Sequence, residues 1–351
     1  MIKQRSSLEQ LPLYVPGKKL PNAIKLSANE NPYPPLDSVL ETVRGAAAAF
    51  HLYPDMGAVD LIARIAQRLD VRPEEISVGA GSIEVLGQII NASADEGDEV
   101  IFAWRSFEAY PILTQVAGAK PVMIPLTADE RHDLPAMAAA VTERTRVILL
   151  CTPNNPTGTS LTTEEIEGFL AAVPKDVLVV IDEAYVHFNT DEHAANGIDF
   201  FRRHENVAVL HTFSKAYGLA GLRVGYAVAP ERIAANLRRV AMPFAVNTLA
   251  QVAAIASLDA EPELQQRVDI LVAERARLTA ELRAMGWTVP EPYGNFVWLR
   301  VDNARIPEVD AALLEHGVVT RAYPSDGVRV TVGSSEMNDA FLEAIRSVTP
   351  Q

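Results

Sequence analysis

The sequence predicts an α/β fold, a mostly parallel sheet flanked by helices, with a smaller α+β unit after it. Three observations carry this expectation. The runs EVIFA (99–103), RVILLC (146–151), VLVVID (177–182) and VAVLHTF (207–213) are nearly continuous apolar stretches of strand length, as strands buried on both faces are. Segments with helical periodicity alternate with them, the pattern of βαβ units. After about residue 230 the alternation gives way to long helices followed by strands.

Along the chain, the first 40 or so residues are rich in Pro and Asn and weakly periodic, which reads as an extended arm. A helix over 58–69 leads to a strand at ISVGA (76–80), a helix over 82–94, the strand 99–103, a helix near 107–117 and a strand at KPVMIP (120–125). The strand 146–151 precedes TTEEIEGFLAAV (162–173), a helix opened by a Thr/Glu capping pattern. Strands 177–182 and 207–213 follow, then RVGYAVA (223–229), interrupted by polar and glycine residues. Helices over 231–240, 246–257 and 262–284 lead to strands at NFVWLR (295–300), GVVTRAY (317–323) and GVRVTVG (327–333), and a last helix covers 336–346. The expected division is an arm over 1–40 packing with the small unit, a large domain over 41–240 and a small domain over 241–351.

The bulk properties exclude several function classes. A chain of 351 residues is ample for a proper core. Its formal net charge of -14, with no Lys/Arg-rich run, repels nucleic acid. The single cysteine, Cys151, permits no intrachain disulfide and no cysteine metal cluster, and suits a reducing cytoplasm. The opening MIKQRSSLEQLPLYVPGKKL has no apolar signal region, and runs such as VLVVI are too short to span a bilayer.

Ligands of open α/β sheets bind beyond the carboxyl ends of the strands. Four elements fall there. GAGS (79–82) joins a strand to a helix, where glycines and a helix start favour an anion, although a plain tight turn reads the same. TPNNPTGT (152–159) is a loop by composition, yet it aims two asparagines past a buried strand. Asp182 ends VLVVID, where a carboxylate is costly unless satisfied; a helix cap is the alternative, and Tyr185 in DEAY strengthens the functional one. In TFSKAYGLAGLRVGY (212–226), Lys215 exits a strand ahead of a glycine-rich loop and Arg223. A lone lysine is usually a solvated surface residue. Buried electropositive surroundings instead make one a nucleophile or base. Together these supply what pyridoxal 5'-phosphate (PLP) requires: an anion cradle, a carboxylate for the pyridinium, donors to the phenolate and a lysine for the Schiff base.

These motifs, from YVPGK (14–18) to VRVTVGSSEMNDAFL (328–342), resemble the fold-type I PLP enzymes, specifically the histidinol-phosphate aminotransferase family and its actinobacterial aromatic amino acid (phenylalanine) branch. The resemblance implies a seven-stranded sheet in the large domain, PLP as cofactor and a homodimer. It implies that Lys215 carries the cofactor and shuttles the substrate proton, that Asp182 partners the pyridine nitrogen, and that Tyr185 and Asn154 bond the phenolic oxygen. Ala80, Gly81, Ser82, Ser214 and Arg223 would hold the phosphate, and Phe107 in WRSFEAY would stack on the ring. Tyr53 in YPD would reach the partner subunit's phosphate. Arg329 would grip the substrate carboxylate or phosphate, with Arg321 and Tyr14 near the same end. Asn29 and Asn31 in SANENP would lie in the active-site cover. Phe107 stands where many relatives have tyrosine, Thr152 where asparagine is common, and no acidic residue directly follows Ser82.

The implied reaction carries the amino group of an aromatic amino acid to 2-oxoglutarate by a ping-pong cycle, with histidinol phosphate as the alternative donor. A β-lyase or decarboxylase would use the same cofactor site. A sensor domain of a transcription regulator fits poorly with the acidic chain and the short arm. GAGS is not a completed GxGxxG, which removes a nicotinamide dehydrogenase.

Overall fold

The computed structural model describes Ile2 and residues 21–350. Its strands and helices, in chain order, are β1 (Ile24–Lys25), α1 (Asp37–Ala46), α2 (Val59–Leu69), β2 (Ile76–Gly79), α3 (Ser82–Ser93), β3 (Glu99–Trp104), α4 (Ala109–Ala117), β4 (Lys120–Pro125), α5 (Leu134–Ala139), β5 (Thr145–Cys151), α6 (Thr163–Ala172), β6 (Leu178–Asp182), α7 (Gly197–Arg203), β7 (Val207–Thr212), β8 (Gly225–Val228), α8 (Glu231–Val240), α9 (Thr248–Asp259), α10 (Glu261–Ala284), β9 (Phe296–Leu299), α11 (Ile306–Glu315), β10 (Val318–Val319), β11 (Arg321–Tyr323), β12 (Gly327–Thr331) and α12 (Ser335–Ile345). Seven strands form one sheet in the order β2-β8-β7-β6-β5-β3-β4. It is parallel except at β8, which runs antiparallel to both its neighbours.

The continuous apolar runs explain why this sheet has two covered faces. Side chains alternate across a strand. Val100, Phe102, Val147, Leu149 and Val180 fall in one buried cluster with residues of α3, α4 and α8. Ile101, Ile148, Leu150, Val179 and Ile181 fall in another, with residues of α5, α6 and α7. Each fully buried side chain of this kind contributes about 1.5–3 kcal/mol relative to exposure. The Thr/Glu pattern at the head of α6 is a capping box, with Thr162 Oγ1 accepting from Glu165 N and Glu165 Oε2 accepting from Thr162 N.

The structure differs from the sequence reading in two places. The run 317–323 is not one strand: β10 pairs parallel with β1, while β11 pairs antiparallel with β12 in a separate three-stranded sheet β11-β12-β9. Thr320 is where the chain passes from one partner to the other. The helices α1, α5, α7 and α11 were not expected; three of them carry Pro or Gly in their first turn, or are short, so their periodicity is weak. Among the described residues, no helix is long and apolar enough to cross a membrane.

Candidate active site

The ends of β2, β3, β5, β6 and β7 and the start of antiparallel β8 meet at one edge of the sheet, because β8 returns beside β7. Lys215 follows β7, Asp182 ends β6, Cys151 ends β5 as the register partner of Asp182, and Gly79 ends β2 opposite Gly225.

At the β2–α3 junction, Gly81 is the helix N-cap, with φ +83°, and no side chain caps α3. A helix start with uncapped N–H groups attracts an anion. Arg223 closes the other side. Its guanidinium donates to Ser214 Oγ at 3.3 Å, Ala220 O at 2.9 Å and Ala80 O at 3.4 Å. A Cβ at Gly81 would overlap that guanidinium, and one at Gly225 would overlap the Ser82 backbone nitrogen. The two glycines therefore keep open a cradle bounded by Ala80, Gly81, Ser82, Ser214 and Arg223. A carboxylate also touches it: Glu84 accepts from Ala80 N at 3.2 Å, and burial raises its pKa.

Lys215 Nζ donates to Ala28 O at 3.2 Å and lies 5.7 Å from the Tyr185 ring centroid. Burial, reinforced by the Arg329 and Arg223 guanidiniums, pushes its pKa down to about 7. Asp182 is 5 % exposed. Burial raises its pKa, and a hydrogen bond from Tyr110 Oη to Oδ2 at 2.7 Å pulls the other way. Ala184 N donates to Oδ1 at 3.2 Å. Tyr185 Oη accepts from Asn29 Nδ2 at 3.0 Å and keeps its own proton to donate. Asn154 Oδ1 accepts from Ser106 Oγ at 2.8 Å, while its Nδ2 donates to Arg105 O at 3.2 Å and Thr157 Oγ1 at 2.9 Å. The phenolate role implied for Asn154 thus requires one of those donations to be exchanged.

The arm covers this edge. Asn31 Nδ2 donates to Ala216 O at 3.0 Å, and Asn29 is tied to Thr331 through its backbone N–H and its side chain. Arg329 donates to Asn155 Oδ1 at 2.5 Å and Ser27 O at 2.7 Å, and among the described residues its buried Nε has no hydrogen-bond partner. Arg321 lies directly across the β11–β12 pair from Arg329 and donates to both oxygens of Glu108. Phe107 is half-buried, edge-on to Tyr110 with centroids 5.6 Å apart. Tyr53, expected at the partner subunit's phosphate, is 84 % exposed with its ring against Phe244; Tyr14 lies outside the described residues.

Sequence reading missed Tyr110, which is fully buried and reaches Asp182 from α4. In the sequence it is one more apolar position of a helix, so nothing marked its hydroxyl. The buried chain behind Asp182 was missed as well. Glu183 bonds His211 Nε2 at 2.7 Å and accepts from Gly197 N at 2.7 Å, and His211 Nδ1 meets Tyr226 Oη at 2.8 Å. The family model "Aminotransferase class I and II" matches residues 21–345. This chain belongs to that family. The aromatic amino acid aminotransferase of Streptomyces coelicolor is 55% identical over 345 residues, 97% of this chain and 96% of the relative. That of Mycolicibacterium smegmatis is 48% identical over 350 residues, 99% and 96% of the two chains. Among solved structures, the histidinol-phosphate aminotransferase of Sinorhizobium meliloti in complex with pyridoxal-5'-phosphate superimposes with a TM-score of 0.90 at 27% identity, covering 99% of each chain. The aminotransferase fold expected from the sequence, with its seven-stranded mostly parallel sheet, is therefore the fold of this enzyme.

Proposed function

We propose that this aminotransferase binds PLP at Lys215 and carries the amino group of an aromatic amino acid to 2-oxoglutarate in a ping-pong cycle. The observation that carries the reading is one sheet edge holding a neutral-range lysine, a buried carboxylate and a cradle that two glycines keep open. These residues fit the cofactor's chemistry. The cradle suits its phosphate, Asp182 its ring nitrogen, Tyr185 its phenolic oxygen, Phe107 a ring face and Lys215 its aldehyde. When bound, PLP supplies an electron sink for the carbanion formed at the substrate Cα.

The chain's own groups do the rest. With its pKa near 7, Lys215 is substantially uncharged at neutral pH and can accept a proton and return it. Burial raises the Asp182 pKa, and the hydrogen bonds from Tyr110 Oη and Ala184 N oppose that rise by favouring the carboxylate. Asn29 and Asn31 place the arm over the lysine and limit water there. Arg329, whose buried Nε has no partner among the described residues, is the group offered to the acidic end of the substrate. Names carried by relatives at 48% identity and above support the aromatic donor.

We further propose a homodimer in which Tyr53 completes the partner subunit's cradle. Phe50, Leu52, Tyr53, Met56 and Met242 are each more than 60 % exposed, and a grouped apolar surface of this kind marks an interface. The cytoplasm is the proposed setting. The second reading, histidinol phosphate as donor, draws on the structural likeness to histidinol-phosphate aminotransferases. Measuring kcat/KM for phenylalanine, tyrosine and histidinol phosphate with 2-oxoglutarate separates them. Phenylalanine or tyrosine should lead; a preference of several hundredfold for histidinol phosphate overturns the aromatic reading.

A further inference from the structure

Three guanidiniums converge on one ring. The Cζ atoms of Arg105, Arg321 and Arg329 lie 5.3, 5.7 and 5.8 Å from the centroid of Tyr323. Arg321 and Arg329 are direct cross-strand partners, an arrangement in which like charges repel. Two of the three are matched by carboxylates. Arg321 Nη2 bonds Glu108 Oε1 and Oε2 at 3.1 and 2.9 Å. Arg105 Nε bonds Asp326 Oδ2 at 2.8 Å, and its Nη2 reaches the same oxygen.

The two pairs are reciprocal. The segment after β3 contributes Arg105 and Glu108, and the β11–β12 hairpin contributes Asp326 and Arg321. Phe107 sits between the two residues of the first segment, so the pairs fasten the loop carrying that ring to the hairpin carrying Arg329. Arg329 differs from the other two: among the described residues its hydrogen bonds run to neutral oxygens, of Asn155 and Ser27, and its Nε has none. Glu108 and Asp326 thus each offset one of the three guanidiniums, and neither bonds Arg329.

We propose that Glu108 and Asp326 determine substrate class. By offsetting Arg321 and Arg105, they lower the positive charge of the substrate end of the cleft by two units, which favours a carboxylate monoanion over a phosphate-monoester dianion. The inference rests on the reading that Arg329 receives the acidic end of the substrate. Charges this close to a partly buried site are weakly screened, so their sum, and not only the nearest contact, governs which anion is held.

The test uses the PLP-loaded enzyme and the substitution Glu108→Gln, which keeps a side-chain oxygen for Arg321 and removes the charge. Two readouts are taken at fixed ionic strength: kcat/KM for phenylalanine and histidinol phosphate with the same 2-oxo acid, and calorimetric Kd values for 3-phenylpropionate and 2-phenylethyl phosphate. Glu108→Gln should raise the phosphate-to-carboxylate ratio at least tenfold in both. Asp326→Asn should move it the same way, and it carries the test if the first variant does not fold. Glu108→Gln/Arg321→Gln restores charge parity and should return the ratio to the wild-type value. A purely structural role predicts that the double variant drifts further away. A ratio unmoved in the single variants, or unrestored in the double, overturns the inference while wild type still prefers phenylalanine. A wild type that prefers histidinol phosphate overturns the substrate reading itself.

Discussion

Tyr110→Phe removes one oxygen from a fully buried layer and leaves Asp182 Oδ2 without its hydroxyl donor. A hydrogen bond to a charged acceptor contributes about 1.5–3 kcal/mol. If Asp182 works as a carboxylate, that loss corresponds to roughly a ten- to hundredfold drop in kcat. The pH profile adds a signed readout. Burial already raises the Asp182 pKa, and the Tyr110 hydrogen bond opposes that rise. Activity that needs the carboxylate is lost as pH falls through its pKa, so removing the donor moves the acid limb of kcat to higher pH. Steady-state kcat across pH 5–9 (about that range suffices) on the PLP-loaded variant measures both effects. Asp182→Asn should remove most of the rate, and adding Tyr110→Phe to it should cost little more, because the two groups act through one contact. A Tyr110→Phe enzyme within twofold of wild type, with an unmoved acid limb, refutes the reasoning. So do losses that simply multiply in the double variant.

Three further outcomes are expected. Lys215 in the PLP-free protein should carbamylate with cyanate with a midpoint near pH 7, followed by peptide mass spectrometry; a midpoint close to that of an ordinary lysine, about 10.4, rejects its neutral-range assignment. Gly81→Ala places a Cβ against the Arg223 guanidinium at a φ of +83°, so PLP affinity by absorbance titration should fall at least tenfold; unchanged affinity removes Gly81 from the cradle. Tyr53→Ser and Lys215→Ala should each be impaired alone, and mixing the two with subunit exchange should recover part of the activity through hybrid dimers with one complete site. No recovery, with hybrids present by native mass spectrometry, rejects the shared site.

Much of the fold was legible because its signals are local. A run such as VLVVID states that both faces of its strand are covered, and Asp182 at its end is conspicuous because a carboxylate there needs partners. Lys215 was legible through the loop that follows it. What could not be read is long-range. Nothing near Arg321 shows that Glu108, 213 positions away, takes its charge, or that Asp326 takes that of Arg105 across 221. The split of 317–323 into β10 and β11 is set by which neighbours each half finds, and the β-branched Val318, Val319 and Thr320 carry strand preference across the point where it falls. Tyr110 reads as one more apolar position of α4, since its hydroxyl matters only once β6 lies beneath it.

The arm meets the catalytic edge partly through main-chain carbonyls: Ala28 O accepts from Lys215, and Ser27 O from Arg329. Neither contact depends on what side chain stands at 27 or 28. The spacing, however, is fixed at both sides, by Lys25 in register with Val319 and by Asn29 bonded to Tyr185. The exposed position 28 should therefore accept many replacements and the buried position 27 those of similar size, whereas inserting or deleting one residue between 25 and 29 would misplace both acceptors at once. For anyone grafting or shuffling this segment among relatives, its length matters more than the side chain at position 28.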